Sequence, residues 1–220
     1  MTDWVAKAWR MLRALETRTA PRKRGKLDRA MGAPATKPTM SEARRRYLDD
    51  PRRMEIHRGL ARAAPSASPE HNMTAVRLAA QLDGEARTGA LAGWVFVMDV
   101  DIDFQLPTEE IRAPDVAGYR RERWLPEWRR SVPIPEPPNW LCEVWSPGNS
   151  PEDREDLMRV YFDASAVESV WTIDRALPAL KVFRRGPTTW RREPVIDDLD
   201  VTFEASPFLG VELTLGMLLE

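Results

Sequence analysis

Residues 139–146 read Asn-Trp-Leu-Cys-Glu-Val-Trp-Ser, and six of the eight are apolar or nearly so. A run of that kind belongs to a central strand covered on both faces, which calls for a sheet packed between other layers. Glu143 sits in its middle. A carboxylate in such a place costs several kcal/mol unless it is paired or binds a metal. The strand therefore predicts both the class of fold and the place to look for chemistry.

The remaining pattern agrees with a mixed sheet and flanking helices. Met54-Glu55-Ile56 and Leu60-Ala61 enclose Arg58-Gly59, a hairpin signal. Ser68-Pro69-Glu70 reads as an N-cap, a proline at the first helical position and an acidic first turn. Ala75, Leu78, Ala79 and Leu82 make the buried stripe of the helix that follows, and Gly84 is placed to stop it. From Trp94 to Leu106 apolar residues alternate with Asp99, Asp101 and Asp103, which predicts one long strand with its aspartates on one face. Further strands are expected over 114–119, 169–173, 180–184 and 201–203. A helix is expected over 152–164, with Leu157, Val160, Tyr161 and Ala164 on one face. These elements predict an α/β (α+β) fold, with a central sheet flanked by helices.

Residues 1–40 hold ten Lys/Arg against three acidic residues, about +7, while the whole chain of 220 residues is -1. Val5, Ala8, Trp9, Leu12 and Leu15 predict one amphipathic helix near the start, and residues 19–39 read as a basic linker. The expected division is an extension over 1–39 and one domain over 40–220. No apolar run approaches the ~20 residues of a membrane span, and Cys142 is the single cysteine, so no intrachain disulfide can form. A cytoplasmic protein without a membrane partner is expected.

Glu55, Asp115 and Glu143 each fall on or beside a predicted strand. Three carboxylates on neighbouring strands suit Mg²⁺, which takes one or two of them directly and keeps several waters. The same residues also admit a plainer account, with Glu55 and Asp115 in solvated turns and Glu143 paired with an arginine. Arg120, Arg121, Arg123, Arg129 and Arg130 interleave with Trp124 and Trp128 just after the Asp115 strand. Guanidinium groups hold phosphates and tryptophan stacks on bases, so this loop is a candidate nucleic-acid contact; tryptophan anchors in a solvated loop are the alternative. His57 and His71 lack metal-site spacing, and Cys142 reads as a core thiol.

The stretches "RAPDVAGYRRERW", "EPPNWLCEVWSPGNSPEDREDLMRVYF" and "VWTIDRALPALKVFRRGPTTW", preceded by "MEIHRGLARAAPSASPEHN", resemble the Uma-two family in order and spacing. That family lies within the PD-(D/E)XK nuclease superfamily, and the resemblance runs from about residue 40 to the C-terminus. It implies a restriction-endonuclease-like core, a central mixed sheet flanked by helices, and a Mg²⁺-dependent phosphodiester-cleaving site with Glu55, Asp115 and Glu143 as its acidic positions and Asp103 as a further, less regular one. The superfamily's lysine position is Trp145 here. The family's shifted lysine, four residues before a tyrosine matched by Tyr161, falls on Leu157, or on Met158 if the register slips by one. Arg154, about 60° around the helix from Leu157 at 100° per residue, is the candidate substitute; a surface ion pair with Glu155 or Asp156 is its plainer role.

These observations lead to an expected Mg²⁺-dependent DNA endonuclease, with DNA and a second copy of the chain as partners. The alternative is a catalytically impaired nuclease-fold module that binds nucleic acid or protein, because the helix lysine is absent. A third reading is a structural partner that docks through its N-terminal helix.

Overall fold

The computed structural model describes residues 40–220 except 51, 52 and 65, and the readings made for residues 1–39 lie outside it. A six-stranded mixed sheet runs β10 (Trp190–Arg192), β9 (Ala179–Arg185), β8 (Ser169–Asp174), β7 (Trp140–Trp145), β6 (Val116–Arg120), β3 (Trp94–Met98). The β7–β8 pair is parallel and the others are antiparallel. Every residue of β7 is buried, as a central strand requires.

Alternation along β7 divides the core. Trp140, Cys142 and Val144 pack with Ala75, Leu78 and Leu82 of the helix Pro69–Thr88 (α2). Leu141 and Trp145 pack with Met158, Val160 and Tyr161 of the helix Pro151–Asp163 (α3). Both helices begin on a serine cap followed by proline: the Ser68 and Ser150 hydroxyls accept the amides of His71 and Asp153. Gly84 does not end α2, which continues to Thr88. One glycine in a well-packed helix costs only about 1 kcal/mol relative to alanine, too little to break it.

The expected strand over 94–106 is broken in two. β3 stops at Met98, Asp99 turns through φ +51, and the chain resumes as β4 (Ile102–Asp103) in a second sheet. That sheet is ordered β2 (Leu60–Ala63), β1 (Met54–His57), β5 (Ile111–Arg112), β4. Period-two hydrophobicity does not distinguish one long strand from two short ones that serve different sheets. Met54, Ile56 and Ile111 of this sheet pack on Ala43 and Tyr47 of the helix Glu42–Asp49 (α1). Glu55, between Met54 and Ile56, therefore faces away from α1. A hairpin of β11 (Thr202–Phe203) and β12 (Leu213–Thr214) leads to the helix Leu215–Leu219 (α4), whose Leu215 and Leu218 join the α2 side of the core.

Candidate functional site

Val116 pairs with Cys142 between β6 and β7, so one step further along the ladder Asp115 stands opposite Glu143. The Val144 amide donates to Asp115 Oδ2 at 2.7 Å, which fixes the carboxylate against β7. On the α2 side, His71 Nε2 lies 2.6 Å from Asp115 Oδ1, and its Nδ1 lies 2.9 Å from Ser146 Oγ. On the α3 side, the buried Tyr161 hydroxyl donates to Glu143 Oε1. The two carboxylates thus meet between the two layers that cover the sheet.

Burial drives the Glu143 carboxyl well above the ordinary range, and the Asp115 and Glu55 charges push it further; only the Tyr161 hydrogen bond opposes them. Tyr161 is also raised, first by burial and then by Glu143. Two adjacent carboxylates resist ionising together, and here burial and the Asp115 charge both favour the neutral form of Glu143.

Glu55 acts on Glu143 through its charge, yet its Oε2 is 2.8 Å from His57 Nε2. His57 in turn touches the Arg112 guanidinium, 2.9 Å from its Nε2. Arg112 is buried and held by Glu110 at 2.9 Å and Asp156 at 3.3 Å. Arg58 and Arg159 converge on the same Asp156. Asp103 stands apart, in an ion pair with Arg44 and accepting the Gln105 amide at 3.0 Å. Asp101 shares a field with Glu55; burial is the main cause of its raised pKa.

Arg154 turns toward β8. It binds Asp174 at 2.9 Å and the Ser146 carbonyl at 3.2 Å, with its guanidinium 5.3 Å from the Trp145 ring centre. The surface pair with Glu155 or Asp156 is replaced by this one with Asp174. Leu157 is half-buried against the α3-side core.

The arginine-rich loop lies at the end of β6 remote from Asp115. Five strand residues at about 3.3 Å each separate the two ends. Arg120 stacks over Trp94 at 4.2 Å, and Arg121 donates to the Ala92 and Trp94 carbonyls. Arg123 binds Asn139, Glu136 and the Pro137 carbonyl. Trp124 and Trp128 pack edge-on against Tyr119. Arg129 and Arg130 are exposed on a short 3₁₀ turn, Pro126–Arg130.

Among the described residues no group of three or more His, Cys, Asp or Glu is arranged to hold a metal ion. The Asp115–Glu143 pair nevertheless fits a divalent cation in its donor chemistry. Both side chains are carboxylates, and a 2+ charge would relieve the repulsion by which Asp115 raises the Glu143 pKa. His71, Ser146, Tyr161 and Arg112 were not assigned to the site from sequence. His71 in a capped first turn was a visible oddity, but nothing local shows where its ring points.

A family model described as "Putative restriction endonuclease" (Uma2) matches residues 41–216. Among solved structures, the chain is similar to one titled a putative nuclease from Anabaena variabilis. That match has a TM-score of 0.62 at 16% identity and covers 79% of this chain and 94% of the other. At that identity the likeness establishes the fold. Among curated proteins none matches.

Proposed function

Because the chain belongs to the Uma2 family, we propose that it is a nuclease-fold module that binds nucleic acid and is impaired in phosphodiester cleavage. The observation that carries this reading is that, among the described residues, the arginines nearest the carboxylate pair are tied to other carboxylates. Lys181 is the one lysine from residue 40 onward. Through the pairs Glu143↔Thr172 and Thr172↔Lys181 it lies two strands from Glu143, roughly 10 Å at about 4.8 Å per strand. Leu157 fills the place that the resemblance gives to lysine. Arg154 is held by Asp174, and the charge of Arg112 is neutralised by Glu110 and Asp156. Cleavage needs positive charge on the phosphate as the transition state forms, and these side chains are committed elsewhere.

Binding requires only surface cations. Arg45 and Arg46 on α1, Arg62 on the β1–β2 hairpin, and Arg129 and Arg130 are exposed. Each can neutralise a backbone phosphate.

The second reading is an active Mg²⁺-dependent endonuclease, and the opposition of Asp115 and Glu143 favours it. Those two residues would hold the ion, with Glu55 behind them. The ion, when bound, supplies Lewis acidity and a lowered water pKa. Tyr161 would keep Glu143 oriented, and the Val144 amide would do the same for Asp115.

Fluorescence anisotropy with labelled single- and double-stranded DNA, run beside a plasmid-nicking assay in Mg²⁺, separates the readings. Salt-dependent binding without nicking is the expected result. Mg²⁺-dependent nicking lost in Glu143→Ala moves the assignment to the endonuclease. Binding to neither DNA, with capture of a protein partner instead, removes the nucleic-acid role.

A further inference from the structure

The carboxylate pair is closed by the chain's own donors. His71 reaches Asp115 Oδ1 from α2 at 2.6 Å, and the Val144 amide reaches Oδ2 from β7 at 2.7 Å. Tyr161 donates to Glu143 Oε1 from α3. Three of the four oxygens therefore already have a hydrogen-bond partner. A divalent ion needs lone pairs aimed at it from roughly 2.1 Å, and a hydrogen-bonded ring nitrogen at Oδ1 stands in that approach.

The ring is held there. Ser146, directly after β7, bonds Nδ1 at 2.9 Å, and the partner on one ring nitrogen sets the direction and proton of the other. The Ser68 hydroxyl caps the His71 amide at 3.2 Å, so its backbone is anchored too. The side chain is nearly buried, which keeps water from competing for Asp115. A charge-assisted hydrogen bond in a dry site is stronger than a neutral one.

We propose that His71, braced by Ser146, is a latch that keeps divalent cations off the Asp115–Glu143 pair. The idea rests on reading that pair as a cation site, as the proposed function does. It adds a cause for impairment besides the missing lysine. Displacing the imidazole is the step a cation must drive, and removing it lowers the barrier to occupancy directly.

The test is calorimetric titration of the full chain with MnCl₂, with circular dichroism confirming the fold. Wild type should bind Mn²⁺ weakly. His71→Ala should bind about ten- to a hundredfold more tightly, the effect of freeing a carboxylate from one hydrogen bond to a charged group. Ser146→Ala should give a smaller gain in the same direction, and adding Asp115→Asn to His71→Ala should abolish it. Unchanged affinity in His71→Ala overturns the latch. Weaker binding also overturns it, because His71 is then a ligand. If His71→Ala does not fold, Ser146→Ala decides alone, and no gain there overturns the proposal. DNA anisotropy on the same proteins keeps the two claims apart. A gain in Mn²⁺ affinity without DNA binding leaves the latch and removes the binding role, and the converse leaves the role and removes the latch.

Discussion

The Tyr161 hydroxyl of α3 donates to the Glu143 carboxylate of β7 inside a core where both side chains are buried. This bond is the one influence that lowers the Glu143 pKa against burial and the neighbouring carboxylates. It joins the middle of the sheet to the helix that covers it.

Glu143 should make the fold less stable as pH rises. Its folded pKa lies above its unfolded value, so the folded state binds the extra proton. The stabilisation is complete below the ordinary carboxyl range of about 4.3 and is lost as pH rises through the folded pKa. Glu143→Gln cannot ionise and should escape this loss. Thermal melts of both proteins from pH 5 to pH 9 should diverge, with the variant gaining on wild type toward alkaline pH. Parallel curves would show that Glu143 does not titrate as a buried acid.

Tyr161→Phe should leave a Glu143 oxygen buried without its donor. Such a loss costs roughly 1–3 kcal/mol. Urea denaturation should show a lower midpoint at an unchanged slope. An unchanged midpoint would mean that water replaces the hydroxyl.

Leu157→Lys should create Mg²⁺-dependent nicking of plasmid DNA, or raise it. One cation beside the scissile phosphate contributes roughly 2–4 kcal/mol to the transition state, on the order of tens to several hundredfold in rate. Adding Glu143→Ala should remove the gain. A folded Leu157→Lys protein that binds Mg²⁺ and cuts nothing would refute the missing lysine as the cause of impairment.

Arg112→Met should be strongly destabilising. Arg112 and Glu110 are both nearly buried at 2.9 Å, with Asp156 at 3.3 Å. Removing the cation leaves buried carboxylates uncompensated, at roughly 3–5 kcal/mol. Combining it with Glu110→Gln should recover part of the loss, since the amide keeps an acceptor for the Arg58 N–H. A small effect of the single change in urea would show that the cluster is well solvated.

Gly118→Ala should disturb the aromatic layer under α2. A Cβ there would stand 3.0 Å from Phe96 Cε1 and 3.1 Å from Trp140 Cε3. These rings belong to a cluster with Trp94, Trp171 and Phe208 that has little room to shift. Overpacking of this kind costs typically about 1–3 kcal/mol. A melting temperature equal to wild type would show that the rings can part.

By itself the sequence determined the elements whose signals are local. The continuous apolar run placed β7, the two Ser-Pro caps placed α2 and α3, and Arg58-Gly59 placed the first hairpin, because each is set by neighbouring residues. The carboxylates at 115 and 143 were legible for the same reason, one entering a strand and one inside a buried strand. Pairings across the chain were not legible. The break at Asp99 depended on which sheet could take Ile102, and the partner of Asp115 came from His71, 44 residues away on another layer. Tyr161 stood out only as a marker of register, and Arg112 lay on a two-residue strand with no periodicity to read. Side-chain direction and charge neutralisation arise only when the layers close. Tertiary structure therefore decided that Arg154 serves Asp174, that Arg123 serves Asn139, and that His71 and Tyr161 meet the carboxylate pair from two layers.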